Sequence, residues 1–116
     1  MLPAPRRVRH PADFATTVRD GRRARSSGLV VHARQTAADL PARAGFVVGR
    51  AVGPAVRRNR LRRQLRHMMA ARLDALPRGL DLVVRVLPTA ATLDRDELQA
   101  MLDAALDRAV RAETAR

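Results

Sequence analysis

The chain has no cysteine, no tryptophan, no tyrosine, no lysine and only two phenylalanines among its 116 residues. Without cysteine there is no disulfide framework, no thiolate zinc site and no cysteine nucleophile. No apolar run approaches the roughly 18 residues of a membrane span. The N-terminus passes from Pro3 into Arg6, Arg7 and Arg9 without the apolar stretch of a signal peptide. A cytoplasmic protein with no membrane partner is expected. Carboxylates are also scarce, with 11 acidic residues against 23 arginines and a formal net charge of +12. In the basic part Asp13, Asp20 and Asp39 are too dispersed to form the paired carboxylates of a two-metal nuclease, and the acids from Asp94 to Glu97 have the spacing of a helix cap. His10, His32 and His67 lack partners at ligand spacing, so no protein-bound metal is expected.

What the chain does have is an apolar fraction of 47%, enough for one core at this length and not for two. Residues 1–116 are therefore expected to form a single domain, with loose ends at 1–8 and 112–116. Universal use of arginine over lysine points to codon bias, which weakens any argument from arginine alone. Codon bias does not explain where the charge lies. Residues 1–73 carry a balance of +14, and residues 74–116 a balance of −2. A field segregated in this way attracts polyanions, nucleic acid above all.

The spacing of Phe14 and Val18 predicts a short helix over about 10–20, stopped by a left-handed Gly21. Residues 22–25 are too polar to assign. Leu29 to Arg34 and Ala44 to Val48 are apolar runs bounded by turn residues, and together they suggest a hairpin. Gly53 and Pro54 open a long helix with Pro54 in its first position. Its apolar seam runs through Leu61, Leu65, Met68 and Leu76, with Met68 in the core and Met69 on the surface. Leu82 to Leu87 make a mostly buried strand stopped by Pro88. Asp94 and Glu97 form a capping box ahead of a helix whose apolar positions run from Leu98 to Val110. This order of elements predicts an α+β fold, with helices packed over a sheet.

The most informative segment is Val56 to His67, where six arginines fall within residues 57–66. At 100° per residue, Asn59, Arg62, Arg63 and Arg66 face away from the seam, and Arg57 and Arg60 flank it. Like charges at i, i+4, such as Arg58 and Arg62, cost an isolated helix roughly 0.2–0.5 kcal/mol each, so stability alone does not favour them. A solvated basic face is the plain alternative. The absence of any acid between Asp39 and Asp74 argues instead for an external anion. Each guanidinium can give a phosphate two parallel hydrogen bonds, and Asn59 can reach a base edge or a 2′-hydroxyl.

The run from Val52 to Arg66, Val-Gly-Pro-Ala-Val-Arg-Arg-Asn-Arg-Leu-Arg-Arg-Gln-Leu-Arg, resembles the signature of the bacterial ribonuclease P protein component. The likeness extends from the Asp13-Phe14 helix through Gly45-Phe46-Val47-Val48 to Asp81-Leu82-Val83-Val84-Arg85. It implies a two-layer α+β sandwich of the ribosomal protein S5 domain 2-like type, with about four strands and three helices. It also implies a subunit of an enzyme whose catalyst is RNA. That subunit would assist Mg²⁺-dependent endonucleolytic removal of the 5′ leader from precursor tRNA. The partners implied are the catalytic RNA and precursor tRNA, with no further protein required. The Mg²⁺ would be held mainly by the RNA, and no catalytic residue would lie on the protein. By the same resemblance Arg50, Arg57, Arg58, Asn59, Arg60, Arg62, Arg63 and Arg66 fall on RNA-binding positions, and Phe14, Val18 and His32 on a cleft for the leader. Val18 and His32 stand where many relatives carry aromatics, and Gly49-Arg50-Ala51 stands where a Ser-Lys-Lys type sequence is common. With so few aromatics, stacking at about 1–3 kcal/mol per base is limited, and electrostatics is expected to carry more of the affinity. Two rivals predict other behaviour. A structural RNA-binding protein of similar fold would bind RNA without tRNA processing, and a DNA- or membrane-surface protein would dock through the arginine helix.

Overall fold

The structure, a computed structural model, describes residues 2, 4–8 and 10–115, with Ala4 described by its backbone. A 3-10 turn at Ala4–Arg6 leads into α1 (Pro11–Asp20), β1 (Arg22–Ser26), β2 (Leu29–Gln35) and β3 (Arg43–Val48). After a second 3-10 turn at Arg50–Val52 come α2 (Ala55–Leu73), β4 (Leu80–Val86), a third turn at Pro88–Thr92 and α3 (Arg95–Thr114). The fold is α+β, as the pattern of elements predicts.

The four strands form one mixed sheet in the order β1-β2-β4-β3. β2 runs antiparallel to both β1 and β4, while β3 is parallel to β4. The hairpin expected between residues 29–34 and 44–48 is not formed. β2 instead turns back on β1 through Ser27 and Gly28, pairing Leu29 with Ser26. β4 sits between β2 and β3 because it is largely buried on both faces, with Leu80, Leu82, Val84 and Val86 on one and Asp81 and Val83 on the other, and needs cover on both. β1 is the polar segment left unassigned from the sequence. It is an edge strand, where arginines are tolerated and discourage pairing with other chains.

Strand alternation divides the sheet into two faces. Leu29, Val31, Ala33, Leu82, Val84 and Val48 point to the main core, where they meet Leu61, Leu65 and Met69 of α2 and Leu98, Leu102 and Leu106 of α3. Met69 is fully buried rather than a surface residue, since it lies four residues after Leu65 on the same seam. α2 ends at Leu73, and Leu76, expected on the seam, falls in the following turn, half-buried. Pro54 is the residue before the helix rather than its first turn. The capping box of α3 is formed: Glu97 N–H donates to Asp94 at 2.8 Å and Asp94 N–H to Glu97 at 3.2 Å.

The opposite face carries His32, Val83 and Gly45, with α1 lying over part of it. Gly21 ends α1 in an extended conformation (φ −75°), not a left-handed one. It is required for closeness, since a Cβ there would sit 2.6 Å from the Ala33 carbonyl oxygen. Gly45 lets the Phe14 ring settle against β3, because a Cβ would run into the ring and into Val8.

Of the ends expected to be loose, residues 1, 3 and 116 lie outside the described residues, while described residues at both ends make contacts with the rest of the fold. Leu2 and Val8 are buried, Arg7 bridges to Ala44, and the Val8 N–H donates to the Ala44 carbonyl at 3.1 Å. At the other end α3 continues to Thr114, with Glu113 buried and accepting the Gln35 N–H at 2.7 Å. Apolar Leu2 and Val8 account for the first difference. The second arises because Glu113 caps the end of β2.

Candidate nucleic-acid interface

Arginine side chains divide into two populations. Those at 6, 19, 34, 43, 72 and 78 pair with carboxylates. Asp81 is buried and takes a bidentate pair of hydrogen bonds from Arg43, at 2.9 and 2.8 Å, with Arg34 nearby at 3.7 Å. The hydrogen bonds to Asp81 hold the Arg43 guanidinium above its usual range. Arg72 ties α2 to α3 through Asp103, at 2.6 Å, and Asp107. In these places arginine is part of the fold.

The arginines of the first turns of α2 differ. Arg57, Arg60, Arg63 and Arg66 are exposed and engage no other described residue. Asn59 is exposed beside them and accepts a hydrogen bond from Arg62 at 3.1 Å, leaving its amide N–H groups facing solvent. Two members of the predicted set act as tethers. Arg58 donates to the Gly53 carbonyl at 3.2 Å and Arg62 to the Val48 carbonyl at 3.3 Å. Arg62, expected on the outward side, is thus a half-buried flank of the seam that fixes the helix start against the end of β3. Arg50 is exposed in the 3-10 turn just before the helix. Exposed Val56 completes the arc, in which no carboxylate takes part.

A second feature lies between α1 and the sheet. Phe14, Val18, Pro11, Ala15, Arg19 and Val47 line an open, mostly apolar groove of about 590 Å³. On the same sheet face Arg23, Arg25, Val30, Arg85 and Leu87 border a more polar recess of about 400 Å³. The groove and the arginine arc adjoin, since Arg66 and Arg7 share a small crevice with Phe14 and Phe46. His32 belongs to this face but is buried, 1% exposed, so it forms part of the floor rather than the lining. Its Nε2 lies 3.5 Å from Arg85. Burial, reinforced by the charges of Arg85 and Arg23, pushes its pKa below the usual 6.5 and keeps it neutral.

Sequence reasoning missed Arg23, Arg25 and Arg85 around the recess. The signal was available: Arg23 and Arg25, two apart, share a face on any strand. It went unread because so polar a segment does not announce a strand. Among the described residues no three histidine or carboxylate side chains gather to hold a metal ion, and no helix is long and apolar enough to cross a membrane.

The model of the family Ribonuclease P matches residues 2–110. A ribonuclease P protein component from Streptomyces bikiniensis is 52% identical over 116 residues, covering 93% of this chain and 94% of that one. Among solved structures, the RNase P protein of Thermotoga maritima is similar with a TM-score of 0.75 and 28% identity, covering 90% of this chain and 96% of that one. The Staphylococcus aureus RNase P protein gives a TM-score of 0.81 over 90% of this chain and 94% of that one; at 24% identity this likeness concerns the fold alone.

Proposed function

The chain belongs to the ribonuclease P protein family, whose members are the protein subunit of the ribonuclease P ribonucleoprotein, and on that premise we propose that it binds the catalytic RNA through the α2 arc and the 5′ leader of precursor tRNA through the α1 groove. The observation that carries this reading is the acid-free arc of unengaged arginines, set on a helix that the Arg58 and Arg62 tethers and the buried seam hold in place. Preorganised cations on a rigid helix lose little side-chain freedom when they meet phosphates. Arg50 at the helix start extends the same surface.

The chemistry of cleavage belongs to the RNA partner in this reading. The described residues offer no clustered donor set for Mg²⁺, so the ion is assigned to RNA phosphates and no step on this chain involves it. The protein brings two polyanions together in the cytoplasm by neutralising the phosphates where they meet. The leader lies along an apolar wall of Phe14, Val18 and Val47, with Arg19 at its rim. Arg23, Arg25 and Arg85 extend positive charge along the same face, so attraction to the leader backbone outweighs stacking. His32 acts from below, as a neutral spacer beside Arg85.

The test is multiple-turnover cleavage of a precursor tRNA by the cognate ribonuclease P RNA at low Mg²⁺, with and without the protein. Stimulation at the correct 5′ site, lost in an Arg60→Ala/Arg63→Ala variant, is expected. A folded protein that binds RNA without stimulating cleavage would be a structural RNA-binding protein instead.

A further inference from the structure

The junction between α2 and the first turn of α3 holds a basic pocket of about 220 Å³, lined by Arg63, Gln64, His67 and Arg95. Arg63 and His67 lie one turn apart on the exposed arc of α2, and Arg95 reaches them from α3. Their side chains engage no other described residue. No acid lines the pocket. Asp94 and Glu97 are turned to each other's backbone in the capping box, and exposed Asp96, next to Arg95 in sequence, is not among the lining residues. Asp103, further along α3, is taken by Arg72 and Gln99. One α2–α3 junction therefore pairs opposite charges at its Arg72 end and sets arginine with arginine at its Arg63 end. Two guanidinia brought together without a counter-ion repel, which a bound anion would offset.

We propose that Arg63, His67 and Arg95 grip a single backbone phosphate of the catalytic RNA, extending the RNA-binding surface from α2 onto α3. The two guanidinia supply paired N–H donors, and the imidazole donates a further N–H in either charge state. Gln64, half-buried at the base, supplies a neutral amide donor. A phosphodiester suits the pocket better than a base edge, since every charged group in the lining is cationic and a base edge also presents donors. The proposal rests on the RNA-subunit reading above and adds Arg95 and His67 to it.

The experiment compares Arg95→Ala with Arg111→Ala, which removes an equal charge from the far end of the same helix, where Arg111 is exposed and unengaged. Affinity for the catalytic RNA alone is measured across a salt series, with circular dichroism to check that each variant is folded. Arg95→Ala is expected to weaken binding several-fold and to lower the salt slope by about one, the loss of one phosphate contact. Arg111→Ala should leave both unchanged, and Arg95→Lys should restore the slope. Ethylation interference should show one RNA phosphate whose modification weakens the wild-type protein and not Arg95→Ala. Equal small losses for Arg95→Ala and Arg111→Ala would reduce the effect to general attraction and overturn the pocket. So would a loss confined to precursor tRNA binding by the preassembled complex, which would give the phosphate to the substrate. If the wild-type protein failed to bind the catalytic RNA, the subunit reading itself would fall, an outcome distinct from either.

Discussion

Arg43 and Arg63 are the same residue type in opposite circumstances. Arg43 lies against a buried carboxylate that accepts two hydrogen bonds from its guanidinium, whereas Arg63 stands on an exposed helix face with no partner among the described residues. In a chain that uses arginine and no lysine, the difference between arginines engaged in the fold and those left exposed lies in where the acids are. The carboxylates go to α1, β4, α3 and its cap, and to Asp39 and Asp74 at the ends of loops and helices, and the outward arc of α2 receives none among the described residues. Charge counting finds the excess; only the pairing shows which arginines are available to a ligand.

The comparison can be broken most severely at Asp81. Asp81→Asn leaves partly buried Arg43 with Asp13 alone as a counter-charge, at 3.6 Å, and should cost up to about 3 kcal/mol of stability by chemical denaturation, the low end for a broken buried pair. RNA affinity of the folded fraction should stay unchanged. If it fell as well, the two arginine populations would not be separate.

Arg60→Ala with Arg63→Ala should do the reverse. At roughly 1 kcal/mol per exposed phosphate contact, RNA affinity falls about 30-fold. The salt slope drops by about 1.4 to 1.8. The melting temperature should hold or rise, because like charges on one helix are removed. Filter binding across a salt series together with thermal melts would check both signs.

Phe14→Ala tests the groove. A loss of about 1 kcal/mol is expected in binding of leader-bearing precursor, with little change for mature tRNA. An equal loss on both would restrict Phe14 to packing against Gly45.

The smallest effect concerns pH. His32 is held neutral in the folded chain, while in the unfolded chain it takes up a proton below about pH 6.5. Its contribution is therefore nil above that pH. As pH falls further it removes up to about 1.4 kcal/mol of stability per pH unit, until the folded imidazole also protonates. His32→Gln should flatten this part of the stability profile, and denaturation midpoints at about pH 7.5 and 5.5 would show it. A wild-type slope identical to the variant's would mean that the site tolerates the charge.

Elements with a clear apolar pattern were legible in the sequence: α1 and β4 follow from spacing, and α3 from spacing together with its capping box. β1 was not, because an edge strand rich in arginine has no apolar alternation to detect. The false hairpin between residues 29–34 and 44–48 arose because strand neighbours are set by tertiary cover. β4, buried on both faces, takes the central place that sequence adjacency would have given to β3. The candidate site was legible where it is contiguous, along α2. Its parts on Arg23, Arg25, Arg85 and Arg95 come from other elements and meet only in the folded chain. The resemblance gave His32 to a cleft, whereas in the structure it is buried on the α1 side of the sheet; that depth depends on the cover it finds there, which a linear pattern does not report.

The parallel pairing of β3 with β4, with α2 between them in sequence, also sets an order of assembly. During synthesis the arginine helix leaves the ribosome before residues 80–86, the strand that pairs with β3, and before α3, which shares the core with Leu61, Leu65 and Met69. For that interval the nascent chain carries an uncovered apolar seam beside a cluster of arginines, in surroundings dense with RNA. Closure waits on a non-local contact, the slow kind of folding event. The same topology that displays the arc on a rigid support leaves its newly made form open to the wrong RNA until β4 and α3 arrive.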